Sequence, residues 1–306
     1  MEYAILVPVG PHPLERSRLE DLLMSLSYYE RFGPIHVVII DDVRPGRGLV
    51  SQLRLPSHLV VHELENPRGS LGSGWGGGLA AGVAHGMRWI VENTRSEFIV
   101  RLDTDALVIG GFSDRIAAAF ARMPTVGMVG SNTRTCREVR QRPSEQPIAK
   151  IQAKLLKPLA FWIRRQPWRG IQLSCVGRWR KMRRALSLAM AGGYQLGDFV
   201  HGGGYAIRRE AIESALRLGL LDDPLTWIET SVGEDVAMSV YVWASGYRFA
   251  DLVDDGDPFA VQAVGIPDDP ERLIERGFAI VHSLKGDSRM SESDIRKVFA
   301  ARRVDS

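Results

Sequence analysis

The stretch Phe98-Ile-Val-Arg-Leu-Asp-Thr-Asp105 decides how this chain reads. Phe98 to Leu102 is a short apolar run of the kind buried inside a sheet, and it ends abruptly on Asp103-Thr104-Asp105. Two carboxylates two residues apart at a strand end can point into one cleft, where they repel unless something lies between them. A hard divalent cation, Mn²⁺ or Mg²⁺, is the natural partner, because it takes oxygen ligands from protein and diphosphate alike. An isolated Asp-x-Asp is usually a solvated turn; the buried strand in front of this one argues for a cation site.

Working outward, the first 130 residues alternate strand and helix patterns. Tyr3 to Val9, His36 to Ile40, Leu59 to Leu64 and Val126 to Val129 read as further strands. Leu14 to Phe32 places Leu19, Leu22, Leu23, Leu26 and Tyr29 at helical spacing and stops at Gly33-Pro34. A glycine-rich loop, Gly69 to Gly78, opens a helix that runs through Glu92. This β-α-β alternation predicts an α/β fold, a mostly parallel sheet flanked by helices, with ligands bound beyond the carboxyl ends of the strands.

From Ser131 to Met190 the pattern changes to irregular structure with short amphipathic helices, broken by Pro143, Pro147, Pro158 and Pro167 and carrying Trp162, Trp168 and Trp179. Between Arg134 and Arg184 fifteen basic residues face only Glu138 and Glu145, a net charge of +13 in a chain that totals +3. Regular structure resumes with a strand over Asp198 to Arg208, helices over Glu210 to Leu218 and Glu234 to Ala244, and strands over Tyr247 to Val253 and Phe278 to His282. The expected organisation is a single domain, 1–285, in two halves, 1–130 and 131–285, the second containing the basic insertion 134–184, followed by a polar C-terminal tail at 286–306.

Composition narrows the class. Of 306 residues, 45% are hydrophobic and 25% charged, which suits a soluble globular protein and excludes whole-chain disorder and collagen-like repeats. Cys136 and Cys175 form neither a disulfide framework nor a Cys-x-x-Cys zinc site, so a reducing cytosol is the expected compartment. The N-terminus lacks a basic n-region, and no run reaches 18 apolar residues. The localisation expected is cytoplasmic, with a peripheral membrane face as one use for the basic segment.

Four more motifs carry chemistry. Asp41-Asp42 ends the second strand, where a carboxylate can accept hydrogen bonds from a nucleobase or ribose, or can start an Asx-type turn. Arg68 to Gly78, RGSLGSGWGGG, can bring backbone N–H groups close to phosphate. It lacks Gly-Lys-Ser/Thr, and its G-x-G-x-x-G follows the third strand instead of the first. Gly233-Glu234-Asp235 opens a helix, where the acids can complement the dipole or Asp235 can serve as general base. His282, near a late strand end, can be structural or complete a metal site.

In this order the motifs resemble the GT-A-fold glycosyltransferases of the family-2-like, nucleotide-diphospho-sugar type, over roughly residues 3–285. The resemblance implies a Rossmann-like GT-A sheet, a divalent metal (Mn²⁺ or Mg²⁺), and transfer of sugar from a nucleoside-diphosphate donor, a UDP-sugar favoured, to an acceptor hydroxyl with inversion. It implies that Pro8 and Val9 line the base pocket and that Asp42, or alternatively Asp41, contacts the base. It further implies that Asp103 faces the ribose or a metal-bound water beside Thr104, and that Asp105, Asp103 and His282 hold the metal. Asp235 would be the base beside Glu234, and His201, Gly202, Gly203 and Gly204 would mark where sugar and acceptor meet. The family's Ala-Arg-Asn after the glycines is missing here, so Arg68 or Arg101 is left to charge-balance the diphosphate, with Gly74 in the phosphate loop. The rival readings are a nucleotidyltransferase and a nucleic-acid-binding module built on the basic segment. As an acceptor-side surface that segment would suit an anionic partner: a lipid-linked pyrophosphate, a membrane face or nucleic acid. Otherwise it is a solvated face that balances the acidic remainder.

Overall fold

The computed structural model describes residues 2–31, 33–72, 74–157 and 173–304, without the side chains of 173–175 and 304. Trp162, Trp168, Pro158 and Pro167 lie outside the described residues, as does the side chain of Cys175.

Period-two burial builds the centre. In β1 (Tyr3–Val9), Tyr3, Ile5, Val7 and Val9 enter one core while Ala4 and Leu6 enter another. β2 (Ile35–Asp41) and β4 (Phe98–Leu102) divide in the same way, and β4 is buried along its whole length. A strand buried on both faces belongs in the interior of an α/β sheet. The seven strands run β3-β2-β1-β4-β7-β6-β8, where β3 is Leu59–Glu65, β6 Val126–Gly130, β7 Gly204–Arg208 and β8 Arg248–Asp251. All neighbouring pairs are parallel except those of β7, which is antiparallel to both β4 and β6. The expected mostly parallel sheet flanked by helices is therefore present. Because β7 runs backwards, Gly204 pairs with Leu102, and the segment entering β7 lies beside the carboxyl end of β4.

One face of the sheet is covered by α1 (Leu14–Tyr29) and α4 (Ser113–Arg122) through Leu19, Leu22, Leu23, Leu26, Ile116 and Phe120. The other is covered by α3 (Gly77–Asn93), α6 (Leu173–Ala191), α7 (Arg209–Arg217) and α8 (Glu234–Ala244). α3 starts where a Cβ on Gly77 would stand 2.0 Å from the Trp227 carbonyl oxygen, so only glycine permits that approach. A three-stranded sheet, β5-β10-β9 (Leu107–Val108, Ile280–His282, Phe259–Val261), closes over the carboxyl end of β4 and brings His282 there.

Three expectations change. The strand expected from Asp198 begins only at Gly204, because His201 to Gly203 serve as the approach to it. The middle segment contains α5 (Pro147–Leu155) and the 19-residue α6, whose Met182, Ala185, Leu186 and Ala189 are buried while Arg180, Arg183 and Arg184 are exposed. The stretch expected as a tail at 286–306 forms α10 (Glu292–Val304) instead. Its Ile295 and Phe299 fill a core with Leu107, Val281 and Phe278, while Glu292 pairs with Arg18 at 2.5 Å and Arg296 and Arg303 pair with Asp21 at 2.7 Å. Ile295, Val298 and Phe299 do stand at helical spacing, but in a short run crowded with charged residues the stripe reads as a polar tail until its core partners are known. Phe299→Ala should lower stability by about 3–5 kcal/mol in denaturant melts, and a change below about 1 kcal/mol would show that α10 is not part of the fold.

Candidate functional site

β4 ends at Leu102, and the chain then turns through Asp103-Thr104-Asp105 into β5. The Thr104 hydroxyl donates to Glu15 on α1, away from the two carboxylates, so Thr104 fastens the turn. Asp103 and Asp105 face His282 from β10, whose Nε2 lies 3.4 Å from an oxygen of each. One ligand atom from each of the three residues falls within 4.8 Å of the others. His282 Nδ1 lies 3.0 Å from the Gln262 carbonyl oxygen, which can only accept, so Nδ1 carries the proton and Nε2 is directed at the carboxylates. Two hard oxygen donors plus an imidazole with a fixed tautomer fit a divalent cation such as Mn²⁺ or Mg²⁺.

The surroundings set the charge states. Burial disfavours ionised Asp105, but His282, Lys285 (Nζ at 3.1 Å) and the Ser283 hydroxyl (2.6 Å) outweigh it and hold the carboxyl well below the usual range. Asp103 is similarly lowered to about 2, with Arg101 and His282 overcoming burial. Burial also pulls the His282 pKa down, yet hydrogen bonds and charges from Asp103 and Asp105 raise it to about 9.

Arg101 links this cluster to the Glu-Asp helix. Its side chain is 1% exposed, and its Nη2 lies 2.7 Å from Asp103 Oδ1 and 3.0 Å from Glu234 Oε1. Burial pushes Glu234 up to about 8, with Asp235 and Asp103 acting in the same direction against Arg101. Burial raises Asp235 too, despite the Val236 N–H at 2.8 Å and the Gly202 N–H at 3.2 Å that donate to it. A carboxylate whose pKa is raised is a stronger proton acceptor than an ordinary one.

The segment His201-Gly202-Gly203-Gly204 joins the two halves. The Gly203 carbonyl accepts from the Asp103 N–H at 3.1 Å. Gly203 has φ +88°, and a Cβ there would come within 2.3 Å of the His282 ring, so the imidazole lies flat against a bare backbone. His201 packs on Phe199, its pKa lowered to about 3 by burial with Arg140 and His282 adding to the effect, and is therefore neutral.

On the nucleotide side, Val9 at the end of β1, next to Pro8, accepts from the Asp42 N–H at 3.0 Å. Asp41 is fully buried, tied to Arg47 at 2.7 Å and to the Val43 and Arg47 N–H groups, which makes it the anchor of its turn. Asp42 is clasped by Arg68 at 2.6 and 2.7 Å and by Asn66 at 2.8 Å, with Gly74 close against it. The glycines of the loop answer first to packing: a Cβ on Gly72 would meet the Ile228 carbonyl oxygen at 2.6 Å. The partners that sequence reasoning missed are Ser283, the Gln262 carbonyl, Asn66 and Lys285. Only Lys285, a cation three residues beyond His282, carries a signal in the sequence.

No family model matches the chain, and no curated protein sequence does. Its fold is similar to those of solved glycosyltransferases. One is the mannosyltransferase PcManGT from Pyrobaculum calidifontis in complex with GDP-Man and Mn²⁺ (18% identity, TM-score 0.45, covering 90% of this chain and 60% of that one). Another is S. aureus TarS 1-349 in complex with UDP-GlcNAc (15% identity, TM-score 0.44, covering 90% and 64%). A third is S. aureus TarS (16% identity, TM-score 0.44, covering 90% and 38%). This chain thus spans less than two thirds of each of those chains.

With His282 raised to about 9 against an ordinary 6.5, its proton is bound at pH 7 in the metal-free protein, and a ligating Nε2 must release it. The folded value lies above the unfolded one. The group's contribution to stability is therefore complete below pH 6.5 and is lost as pH rises through 9, and a cation held through Nε2 would bind more tightly over the same window. Calorimetric Mn²⁺ titrations at pH 7 in buffers of different ionisation enthalpy should show release of about one proton. Binding without proton release would remove His282 from the ligand set.

Proposed function

We propose that the protein is a glycosyltransferase that moves a sugar from a nucleoside-diphosphate donor to an acceptor hydroxyl, with inversion. The observation that carries this reading is the pair Gly202-Gly203. One residue hydrogen-bonds Asp235, the other lies on the ring of His282, and a proton acceptor and a cation site thereby sit on two sides of one backbone segment.

Each side chain then has a task. Asp42, held by Arg68 and Asn66, receives the nucleoside, while Asp41 keeps the turn in place. Asp103, Asp105 and His282 hold a divalent ion; when bound, that ion supplies positive charge to the diphosphate as it leaves. Asp235 takes the proton from the acceptor hydroxyl. The hydroxyl oxygen bonds to the anomeric carbon while the bond from that carbon to the diphosphate breaks, a single displacement that inverts the centre. Glu234 positions Asp235 and Arg101 through its buried carboxylate. Gly202 and the flanking His201 and Gly204 border the space for sugar and acceptor. Among the described residues no helix is long and apolar enough to cross a membrane, and a cytoplasmic location is part of this proposal.

The test is release of nucleoside diphosphate from a panel of UDP-, GDP- and TDP-sugars with Mn²⁺, with the product anomer read by NMR. Asp235→Asn should lower transfer by about 10²–10⁴-fold while leaving nucleoside-diphosphate binding in place. Transfer by that variant at the unaltered rate would exclude Asp235 as the base.

A further inference from the structure

We infer that Lys285 is the side chain that binds the donor's diphosphate, an inference that rests on the nucleoside-diphosphate reading of the site. A nucleoside-diphosphate sugar brings two negative charges to a cluster that already holds those of Asp103 and Asp105. Arg101 offsets the charge of Asp103 and one divalent cation offsets two of the remaining three, which leaves room for one more positive group facing the phosphates.

Among the described residues, the other cations near the site are buried or held by partners of their own. Arg101 is buried between Asp103 and Glu234. Arg68 spends Nε and Nη2 on Asp42 and Nη1 on the Leu71 carbonyl. Arg47 holds Asp41 and the Gly10 carbonyl. Arg140 donates from Nη1 to the carbonyls of Ser131, Asn132 and Phe199 and lies over the Phe199 ring, its guanidinium carbon 4.4 Å from the ring centre. Of the two arginines named by the sequence for the diphosphate, Arg68 has three nitrogens engaged, and Arg101, though its Nε and Nη1 have no hydrogen-bond partner among the described residues, is only 1% exposed and buried beneath the aspartate turn.

Lys285 differs from all of these. Its Nζ lies 3.1 Å from Asp105 Oδ2, a contact that uses one of three ammonium donors, and its side chain is 39% exposed. The main chain around it is strapped to the aspartate turn: the Leu284 N–H donates to the Asp105 carbonyl at 3.0 Å, and the Lys285 carbonyl accepts from the Gly265 N–H and the Ser283 hydroxyl, both at 3.2 Å. The ammonium lies 5.1 Å from the ring centre of Trp75, whose indole is 74% exposed on the glycine-rich loop. The charge is thus held at the rim of the cluster, between the aspartate turn and the loop, with donors still available. An ammonium there meets phosphate oxygens as a point charge.

Lys285→Met and Lys285→Arg in the full chain test this. Mn²⁺ affinity, read by electron paramagnetic resonance without nucleotide, should stay within about threefold of the original protein in both variants, which also reports that the cluster is folded. Calorimetry with UDP and GDP at saturating Mn²⁺ should show roughly 10- to 100-fold weaker binding for Lys285→Met, the loss of one charge-assisted hydrogen bond, with most of it restored by Lys285→Arg. Unchanged UDP and GDP affinity in Lys285→Met overturns the assignment and leaves the donor reading standing. Loss of Mn²⁺ affinity by as large a factor as nucleotide affinity also overturns it, because Lys285 would then only be holding Asp105. Failure of the unaltered protein to bind either nucleotide with Mn²⁺ overturns the donor reading and the assignment together.

Discussion

A single buried guanidinium ties the candidate site together. Arg101 lies on β4, in the middle of the sheet, on the face otherwise occupied by Ala4, Leu6 and Ile99. Taking such a charge out of water costs several kcal/mol, and only close, well-aligned anions offset it. Asp103 supplies the anion at 2.7 Å, and Glu234, whose carboxyl burial pushes up to about 8, places an oxygen 3.0 Å away from an element more than a hundred residues distant in the chain. Loss of Asp103 would leave an uncompensated buried charge, and loss of Glu234 would remove the polar oxygen on the other side of the guanidinium, so the aspartate turn and the start of α8 are held together through Arg101. The proposed displacement would need a proton acceptor at a fixed distance from a cation site, and Arg101 would hold that distance.

The reversed strand β7 provides the second constraint. In an all-parallel sheet the chain would enter that strand at the opposite edge, far from the end of β4. Running backwards, it delivers Gly202 and Gly203 to the carboxyl ends of its neighbours, where their lack of side chains lets backbone touch Asp235 on one side and the His282 ring on the other. A side chain at Gly203 would occupy the place of the imidazole itself.

What the sequence shows and what it hides follow from the range of the interactions. β1, β2, β3 and β4 are legible because each is a local apolar run closed by polar or turn residues, and α8 starts at Glu234 as its acids indicate. Asp103, Asp105 and His282 are legible as candidates for the same reason, since two lie at a strand end and the third at the last strand. The partners that orient them are not: the Gln262 carbonyl and the Ser283 hydroxyl act through contacts that only the second sheet creates. α10 is hidden for a related reason, because its small apolar stripe has meaning only beside Leu107 and Val281. The glycine-rich loop misleads in the other direction. Its glycines suggest phosphate contact, whereas Gly72 and Gly77 are required by the backbone of Trp227 and Ile228.

The same distinction bears on specificity. The residues that would read a nucleoside and a diphosphate sit at strand ends fixed by a sheet buried on both faces, so their positions are set by the core. The side that would receive an acceptor is built from α5, α6 and the approach to β7, where Tyr194, Gln152 and Asp198 join short elements by hydrogen bonds between side chains and backbone. The exposed arginines of α6 lie on this side of the chain's organisation, on a helix whose opposite face is buried against the core. Charge can therefore vary on that surface at little cost to the fold, whereas Arg101 cannot change without disturbing both halves of the site. On the proposed reading, a scaffold divided in this way would keep one donor chemistry while the other surface follows a different partner.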